Sequence, residues 1–344
     1  MQDASESCTA RRVSATVRRN RAIIDFRETV SIDSLRSISM RTLLRTAPVQ
    51  YGFFDPGAAT LGVQFSERYK SAQPFPHIII DGLVDDEVLA LCLDEFPEID
   101  RSGPGYHRNQ ENLKFEIKPE ALSPRGRSFF YSLNSQPFLG FLEGLSGIQG
   151  LIPDPYFIGG GFHAVVQGGH LNIHADFNHH QLLNLERRIN VLIYLNRDWK
   201  EDYGGCLELW DSGMHRCYER IVPLFNRCVI FNTSSDSFHG NPEPVNHPLG
   251  IPRRSIALYY YTATWDRSRR EHTTSFQVRP NSTDAFDLRV KAMELLSEIT
   301  PPIFLRALRK LRRQHTAQRT KLKRDERATT DFGRGSRSAR RLGR

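Results

Sequence analysis

The sequence predicts a mainly β protein with flanking helices, an α+β fold whose core is an antiparallel sandwich or barrel. Between Pro153 and Thr264, short apolar or alternating runs are separated by clusters of Gly, Pro, Asn and Asp. Closely spaced short strands with turn residues between them are typical of such β cores. Apolar residues at helical spacing occur before and after this region, which predicts the helices.

A strand and two helices are predicted before the β-rich region. The apolar run within 75–82 ends at a turn dipeptide, as expected of a strand. Three acidic residues beginning at Asp85 precede an amphipathic pattern that stops at Pro97, which indicates a helix. A second helix is predicted over 128–145, where Pro137 must break or kink it.

Six strands are predicted inside the β-rich region, and helices follow it. The strands are 160–166, 171–175, 190–195, 206–210, 227–231 and 255–261. An amphipathic helix over 284–299 ends at a Pro-Pro pair, and 304–313 predicts a basic helix. The low-complexity sequence over 328–344 is expected to be disordered.

The net charge of +8 is unevenly distributed along the chain. Residues 303–344 carry +12 and residues 1–45 carry +4, which leaves −8 for residues 46–302. We therefore expect a mobile basic N-terminal extension over 1–45, with Met40 as an alternative start to Met1. A globular domain is expected over 46–302, followed by a basic C-terminal helix and disordered tail over 303–344. The acidic body argues against a nucleic-acid-binding domain, although the tail can contact polyanions through its charge.

Several absences in the sequence predict a cytoplasmic protein. No apolar run approaches the ~20 residues that cross a bilayer, and no N-terminal stretch has the basic start and apolar core of a secretory signal. The five cysteines are odd in number and include no Cys-x-x-Cys pair. We therefore expect reduced, structural thiols.

Two histidines and an aspartate form a candidate metal site. His174 and Asp176 lie two residues apart on a predicted strand, so their side chains share one face. His239 follows at the end of another strand. Two imidazoles and one carboxylate can occupy one face of an octahedral metal, a facial triad typical of non-haem Fe(II) oxygenases. Because the chain has 12 histidines, a His-x-Asp pair also arises by chance, so a structural role for His174 stays open here.

The last predicted strand carries a candidate carboxylate anchor. Arg253 and Ser255 are again two residues apart and share a face. A guanidinium fork beside a hydroxyl is suited to bind a carboxylate. Arg254 points to the opposite face and is expected in solvent, so the alternation favours Arg253 as the anchor.

The order of these pieces resembles a known family. Along the chain they are His174-x-Asp176, the strand 188–196 with its Tyr-Leu-Asn sequence, Trp199, the Gly-Gly pair before Cys206, His239 and Arg253-x-Ser255. Over about residues 155–263 this order is similar to the Fe(II)- and 2-oxoglutarate-dependent dioxygenase superfamily. Within it, the prolyl 4-hydroxylase-like branch resembles the chain best. The resemblance implies a double-stranded β-helix, or jelly roll, with helices packed on one side.

The resemblance also implies a reaction. A C–H bond would be hydroxylated while 2-oxoglutarate and dioxygen are converted to succinate and CO₂, with ascorbate as the reductant. The implied iron ligands are His174, Asp176 and His239, and the carboxylate of Asp176 favours hydroxylation because a halogenating relative would lack it. The expected substrate is a peptidyl side chain such as proline, while a free amino acid or a glycan-linked metabolite stays open.

Four residues are implied in the binding of 2-oxoglutarate. Arg253 would pair with the distal carboxylate, with Ser255 assisting, and the phenol of Tyr194 would support the same carboxylate. Asn190, four residues earlier on the same strand face, would line the pocket, with a surface or turn amide as an equal alternative.

Other function classes stay open at this stage. A metal-dependent hydrolase could use the same three side chains, but it would not explain the Arg253 and Ser255 anchor. A non-catalytic jelly-roll module acting through its basic tail would not need an intact triad. A nucleic-acid demethylase is disfavoured by the acidic body.

Overall fold

We analysed a computed structural model that describes residues 57–99, 106–108, 110–266, 268 and 271–284. All of these belong to one of the two units into which the chain divides, Thr42–Arg344. The predicted N-terminal extension, nearly all of the predicted helix 284–299 and everything after it lie outside the described residues. The predicted domain boundaries at residues 45 and 302 therefore stay predictions.

The described residues contain four α-helices and thirteen strands. The helices are α1 (Ala58–Lys70), α2 (Asp86–Asp94), α3 (Pro124–Ser132) and α4 (Gln136–Ser146). The strands are β1 (His77–Asp81), β2 (Tyr106–Arg108), β3 (Glu111–Ile117), β4 (Ile152–Pro153), β5 (Gly161–Ala175), β6 (His179–His180), β7 (Leu185–Tyr194), β8 (Leu207–Trp210), β9 (Cys217–Ile221), β10 (Arg227–Asn232), β11 (Phe238–Asn241), β12 (Arg253–Thr262) and β13 (Ser275–Phe276).

The strands form a curled antiparallel sheet in the order β1-β10-β7-β12-β5-β11-β8-β9. Strand β5 joins a first half, β1-β10-β7-β12, to a second half, β11-β8-β9. The first half of β5 pairs with β12, where Val165 lies opposite Arg253. The second half pairs with β11, where His174 lies opposite His239. This arrangement is the jelly roll with flanking helices that the sequence predicted. One strand of 15 residues replaces the two strands predicted over 160–175.

The two faces of the first half of the sheet have different chemistry. Alternate residues of β12, such as Ile256 and Leu258, join the apolar core, together with Phe130 and Phe141 of the helices. Tyr260 continues this face, and its hydroxyl donates a hydrogen bond to the carbonyl of Leu133 (2.8 Å). The intervening residues of β12, beginning with Arg253, face the interior of the jelly roll. The period of two therefore separates the helix-packing face from the face that carries the polar candidates.

The helices agree with the sequence in part. The predicted helix 128–145 is two helices, and Pro137 lies in the first turn of α4, where a missing amide hydrogen is tolerated. Helix α1 was not predicted, and it packs against α4. Its buried face includes Ala58, Gly62 and Ser66, small residues that a search for apolar periodicity does not detect.

Two further observations bear on the sequence predictions. Cys92, Cys206, Cys217 and Cys228 are free thiols in the described part of the chain. Among the described helices, none combines the length and the apolar character of a membrane-spanning segment.

Candidate active site

The structure brings the three candidate metal ligands together. His174 lies near the end of β5, Asp176 directly follows that strand, and His239 lies opposite His174 on β11. Nε2 of His174 is 3.5 Å from Oδ1 of Asp176, and Nε2 of His239 is 3.3 Å from Oδ2 of the same carboxylate. One ligand atom from each residue lies within 4.8 Å of the other two. The pairing of β5 with β11 thus assembles the cluster that the sequence predicted.

Both imidazoles are oriented as a metal requires. Nδ1 of His174 is 2.9 Å from the carbonyl of Asn172, and Nδ1 of His239 is 3.0 Å from the carbonyl of Ser237. A carbonyl only accepts hydrogen bonds, so Nδ1 carries the hydrogen in each ring and Nε2 keeps its lone pair toward the common centre. Burial lowers the pKa of His239, which favours the neutral ring. Two nitrogens and one carboxylate oxygen are the donor set of a non-haem Fe(II) site, so these residues fit that ion.

Asp176 is held by two neighbours on β7. Its Oδ2 accepts hydrogen bonds from Nη2 of Arg187 (2.9 Å) and from Nδ2 of Asn190 (2.6 Å). Burial by itself would raise the pKa of Asp176, but the positive charge of Arg187, with His239 nearby, holds that pKa well below its usual value. The carboxylate is therefore an anion at neutral pH. The structure places Asn190 on this carboxylate, and its predicted contact with a cosubstrate stays a prediction.

Arg187 is the residue of this site that the sequence analysis missed. Its guanidinium carbon lies 4.4 Å from the ring centre of Phe177 and 3.6 Å from that of Tyr259, so the side chain is clamped between two aromatic rings. Strict alternation from Asn190 would turn Arg188 inward. Tyr260 pairs with Ile189, but Tyr261 pairs with Arg187, so Arg188 is the extra residue of a bulge in β7. The bulge turns Arg187 inward instead. Two adjacent arginines at the start of an apolar strand were the only available signal.

The carboxylate anchor lies at the other end of the same inner face. Nε of Arg253 donates to the carbonyl of Gly205 (2.7 Å), and Nη2 donates to the hydroxyl of Tyr194 (3.3 Å). Ser255 lies opposite Tyr194 in the β12–β7 pair and is buried. Burial raises the pKa of Tyr194, so the phenol keeps its hydrogen and can donate it to a carboxylate. Arg253, Tyr194 and Ser255 therefore form a buried group of hydrogen-bond donors.

The absence of a side chain at Gly205 lets the side chain of Arg253 lie close to the backbone. Gly205 has φ +66°, and a Cβ there would lie 2.8 Å from Cδ of Arg253. Arg254 faces the other way, as predicted, but its side chain is only partly in solvent. Its guanidinium carbon is 5.2 Å from the ring centre of Phe96, and burial lowers its pKa. Arg254 is partly buried because the outer face of β12 is the face that packs against the helices.

The spacing between anchor and triad follows from strand register. Tyr259 lies opposite Asn190, which bonds Asp176, and Ser255 lies opposite Tyr194, which bonds Arg253. Four residues of extended strand separate these two levels by roughly 14 Å. Ala257 lies between them, opposite Leu192. Alanine adds only a methyl group to the inner face between these two levels.

Comparisons with known proteins find similarities to an oxygenase superfamily and to prolyl hydroxylases. Residues 160–261 match the 2OG-Fe(II) oxygenase superfamily. The prolyl 3-hydroxylase OGFOD1 of Mus musculus is 33% identical over 79 residues, which are 22% of this chain and 14% of that protein. The chain thus matches only about a seventh of the length of that curated relative.

Solved structures give looser similarities. A prolyl hydroxylase from Trichoplax adhaerens is 19% identical, with 59% of this chain and 90% of that chain covered at a TM-score of 0.43. A Pseudomonas putida prolyl-4-hydroxylase is 16% identical, with 60% of this chain and 100% of that chain covered at a TM-score of 0.41.

Proposed function

With residues 160–261 assigned to the 2OG-Fe(II) oxygenase superfamily, we propose that this protein is a hydroxylase that depends on Fe(II) and 2-oxoglutarate. One observation carries the proposal. Two imidazole nitrogens and an ionised carboxylate surround one centre, and a buried guanidinium lies at the far end of the same inner face. A dicarboxylic cosubstrate needs both features, because one end must reach the metal and the other needs a cationic partner.

Each residue of the site has a distinct part in the proposed reaction. His174, Asp176 and His239 would hold Fe(II), which with 2-oxoglutarate and dioxygen supplies the oxidising power to convert C–H into C–OH, with release of succinate and CO₂. Arg253 would pair with the distal carboxylate of 2-oxoglutarate. Tyr194 donates its phenolic hydrogen to that carboxylate. The burial of these groups excludes water from the charged contacts and strengthens them.

The finer features of the function are also proposals. The substrate is a peptidyl side chain such as proline, and the local likeness to a protein named prolyl 3-hydroxylase supports this choice. Ascorbate serves as a reductant for the iron. Free thiols at the described cysteines support a cytoplasmic location. Contact of the basic tail with polyanions rests on the charge of residues 303–344 alone.

The alternative classes have less support. A metal-dependent hydrolase needs no cationic anchor at the far end of the pocket, and no observation favours a non-catalytic module. The superfamily match supports neither of them.

Turnover of the cosubstrate tests the proposal. We expect the full chain, incubated in air with Fe(II), 2-oxoglutarate and ascorbate, to form succinate slowly, and faster when a library of proline-containing peptides is added. Succinate is measured by chromatography. Incubation without Fe(II) is the control. The absence of succinate with every peptide, amino acid and sugar conjugate tried would rule out the hydroxylase.

A further inference from the structure

A second pocket opens beside the metal-ligand cluster, and the proposed reaction gives it no role. Its volume is about 570 Å³, and its lining includes Phe75, Arg187, Thr233 and Trp265. This volume lies within the range of sites that bind small molecules or side chains. Arg187 also bonds Asp176. Arg187 therefore lines the pocket and also contacts a candidate metal ligand.

Two buried polar atoms in the pocket lining lack partners. Nη1 of Arg187 and Oγ1 of Thr233 make no hydrogen bond within the part of the chain that the structure describes. Arg187 is only 2% exposed, and its other nitrogens already donate to Asp176 and Asn190. Buried donors are nearly always paired in folded proteins. Two unpaired donors on one pocket therefore indicate an oxygen acceptor supplied by a ligand.

The charges and the rigidity of the pocket favour an anion. The ionisable residues in the lining are Glu186, Arg187 and Arg188, which sum to one positive charge. Nη1 of Arg188 lies 3.7 Å from Glu186, and Arg187 is ion-paired with Asp176 through Nη2, so Nη1 of Arg187 is the guanidinium nitrogen left for a ligand. The rings of Phe177 and Tyr259 clamp that guanidinium, so the direction of Nη1 is fixed before any ligand arrives. A preorganised, buried donor of this kind binds a carboxylate oxygen well.

The remaining walls suit a side chain of a peptide. Trp265 stacks on the imidazole of His179 with ring centres 4.3 Å apart, which holds the indole in place. Phe75 supplies a second aromatic surface. A carboxylate on a short aliphatic stem can rest on these rings and reach Arg187 and Thr233.

We propose that this pocket binds the carboxylate of an Asp or Glu side chain in the substrate peptide, near the residue that is hydroxylated. Nη1 of Arg187 and Oγ1 of Thr233 are the donors. The inference rests on the proposed function and adds a substrate class to it: peptides with an acidic residue close to the oxidised one.

Paired peptides test this substrate class. Each peptide is acetylated and amidated, contains one proline, and carries Glu or Gln at one position, which is moved along both sides of the proline. Binding to the full chain, loaded with Mn(II) and 2-oxoglutarate, is measured by calorimetry. We expect one position at which the Glu peptide binds about tenfold more tightly than its Gln partner. Equal binding of every pair would overturn the inference.

Variants of Thr233 locate the acidic contact. We expect Thr233→Val to bring the Glu-to-Gln affinity ratio close to one, and Thr233→Ser, which keeps the hydroxyl, to retain it. Ser234→Ala is the control for a neighbouring hydroxyl of the same lining, because the Ser234 hydroxyl is exposed and already donates to Asp236 (2.6 Å). A ratio that persists in Thr233→Val would contradict the assignment. The Thr233→Ser variant separates a lost contact from a folding defect.

Two further measurements distinguish an acidic side chain from the other possible carboxylates, a peptide C-terminus and 2-oxoglutarate. A peptide whose only carboxylate is its free C-terminus should bind no more tightly than its amide, and the affinity for 2-oxoglutarate should be the same in Thr233→Val and the parent. A preference for the free terminus, or a weakened 2-oxoglutarate affinity, would assign the pocket to another ligand. If neutral peptides stimulate succinate formation as well as acidic ones, this inference fails while the hydroxylase stands. If no peptide does so, the peptidyl substrate itself fails.

Discussion

At the scale of single residues, the site consists of side chains that neighbouring side chains and backbone carbonyls hold in place. Asp176 accepts hydrogen bonds from Arg187 and Asn190, and Arg253 is positioned by the carbonyl of Gly205. These contacts exist before any ligand binds. Groups fixed in this way lose little conformational entropy when a ligand arrives, which is why such partners affect binding strongly.

Arg253 and Arg254 make a matched pair for testing the anchor. We expect Arg253→Ala to raise the KM for 2-oxoglutarate by about 10- to 100-fold, because a buried, charge-assisted contact of about 1.5–3 kcal/mol is lost. Arg254→Ala should leave that KM unchanged, since its guanidinium packs near Phe96. Succinate formation at varied 2-oxoglutarate concentrations measures both. A larger effect of Arg254→Ala would transfer the role to that residue.

At the scale of elements, alternation along each strand decides which side chains reach the site. Ile256 and Leu258 of β12 join the helix-packing core, so Arg253 and Ser255 lie on the inner face. The bulge in β7 breaks this alternation once, and it selects Arg187 over Arg188. A one-residue shift thus changes which arginine bonds the carboxylate of Asp176, a candidate metal ligand.

The contact between α1 and α4 depends on small residues. A Cβ at Gly144 would lie 2.4 Å from the carbonyl oxygen of Ala59, whereas a Cβ at Gly140 has no neighbour nearer than 3.5 Å. We expect Gly144→Ala to lower the free energy of unfolding by about 1–3 kcal/mol through overpacking. Gly140→Ala should raise it by about 0.5–1 kcal/mol, because alanine favours helix. Urea denaturation measures both, and equal effects would contradict the tight packing.

At the scale of the whole molecule, β5 joins the two halves of the jelly roll. His174 and Asp176 come from the end of this strand, and His239 comes from β11 beside it. Because the candidate ligands come from two separate stretches of chain, a metal bound to them stabilises the folded state and not the unfolded chain.

Metal binding should therefore raise thermal stability. With free Mn(II) at about 100 times its dissociation constant, the gain is about 2.7 kcal/mol, which raises the Tm of a domain of this size by roughly 5–10 °C. We expect His174→Ala to lose this gain. His215→Ala, at an exposed histidine with a side chain 85% accessible, should keep it. Thermal scans with and without metal measure the effect, and an undiminished gain in His174→Ala would refute the ligand assignment.

Much of the fold was predictable from local patterns. The predicted strands agree with β1, β7, β8, β10 and β12, and the break predicted at Pro137 lies just before it, at residues 133–135 between α3 and α4. The superfamily resemblance is confirmed by the match over residues 160–261. Helix α1 and strand β3 were missed. The buried face of α1 is made largely of small residues, and β3 pairs with residues of β5 about fifty positions away in the sequence.

By itself, the sequence predicted a sandwich or barrel of short strands, which the family resemblance narrowed to a jelly roll, together with the candidate metal ligands and the inward direction of Arg253. The strands and their two faces depend on turn residues and on a period of two, which are local properties of the chain, and the candidate ligand set depends on the order of the motifs along it. Only the tertiary structure decided that Arg187 and Asn190 hold Asp176, that Arg254 packs near an aromatic ring, and that Thr233 and Trp265 line a pocket beside the triad. The physical reason is that a bulge and the pairing of distant strands determine these contacts, and neither is encoded in the spacing of nearby residues.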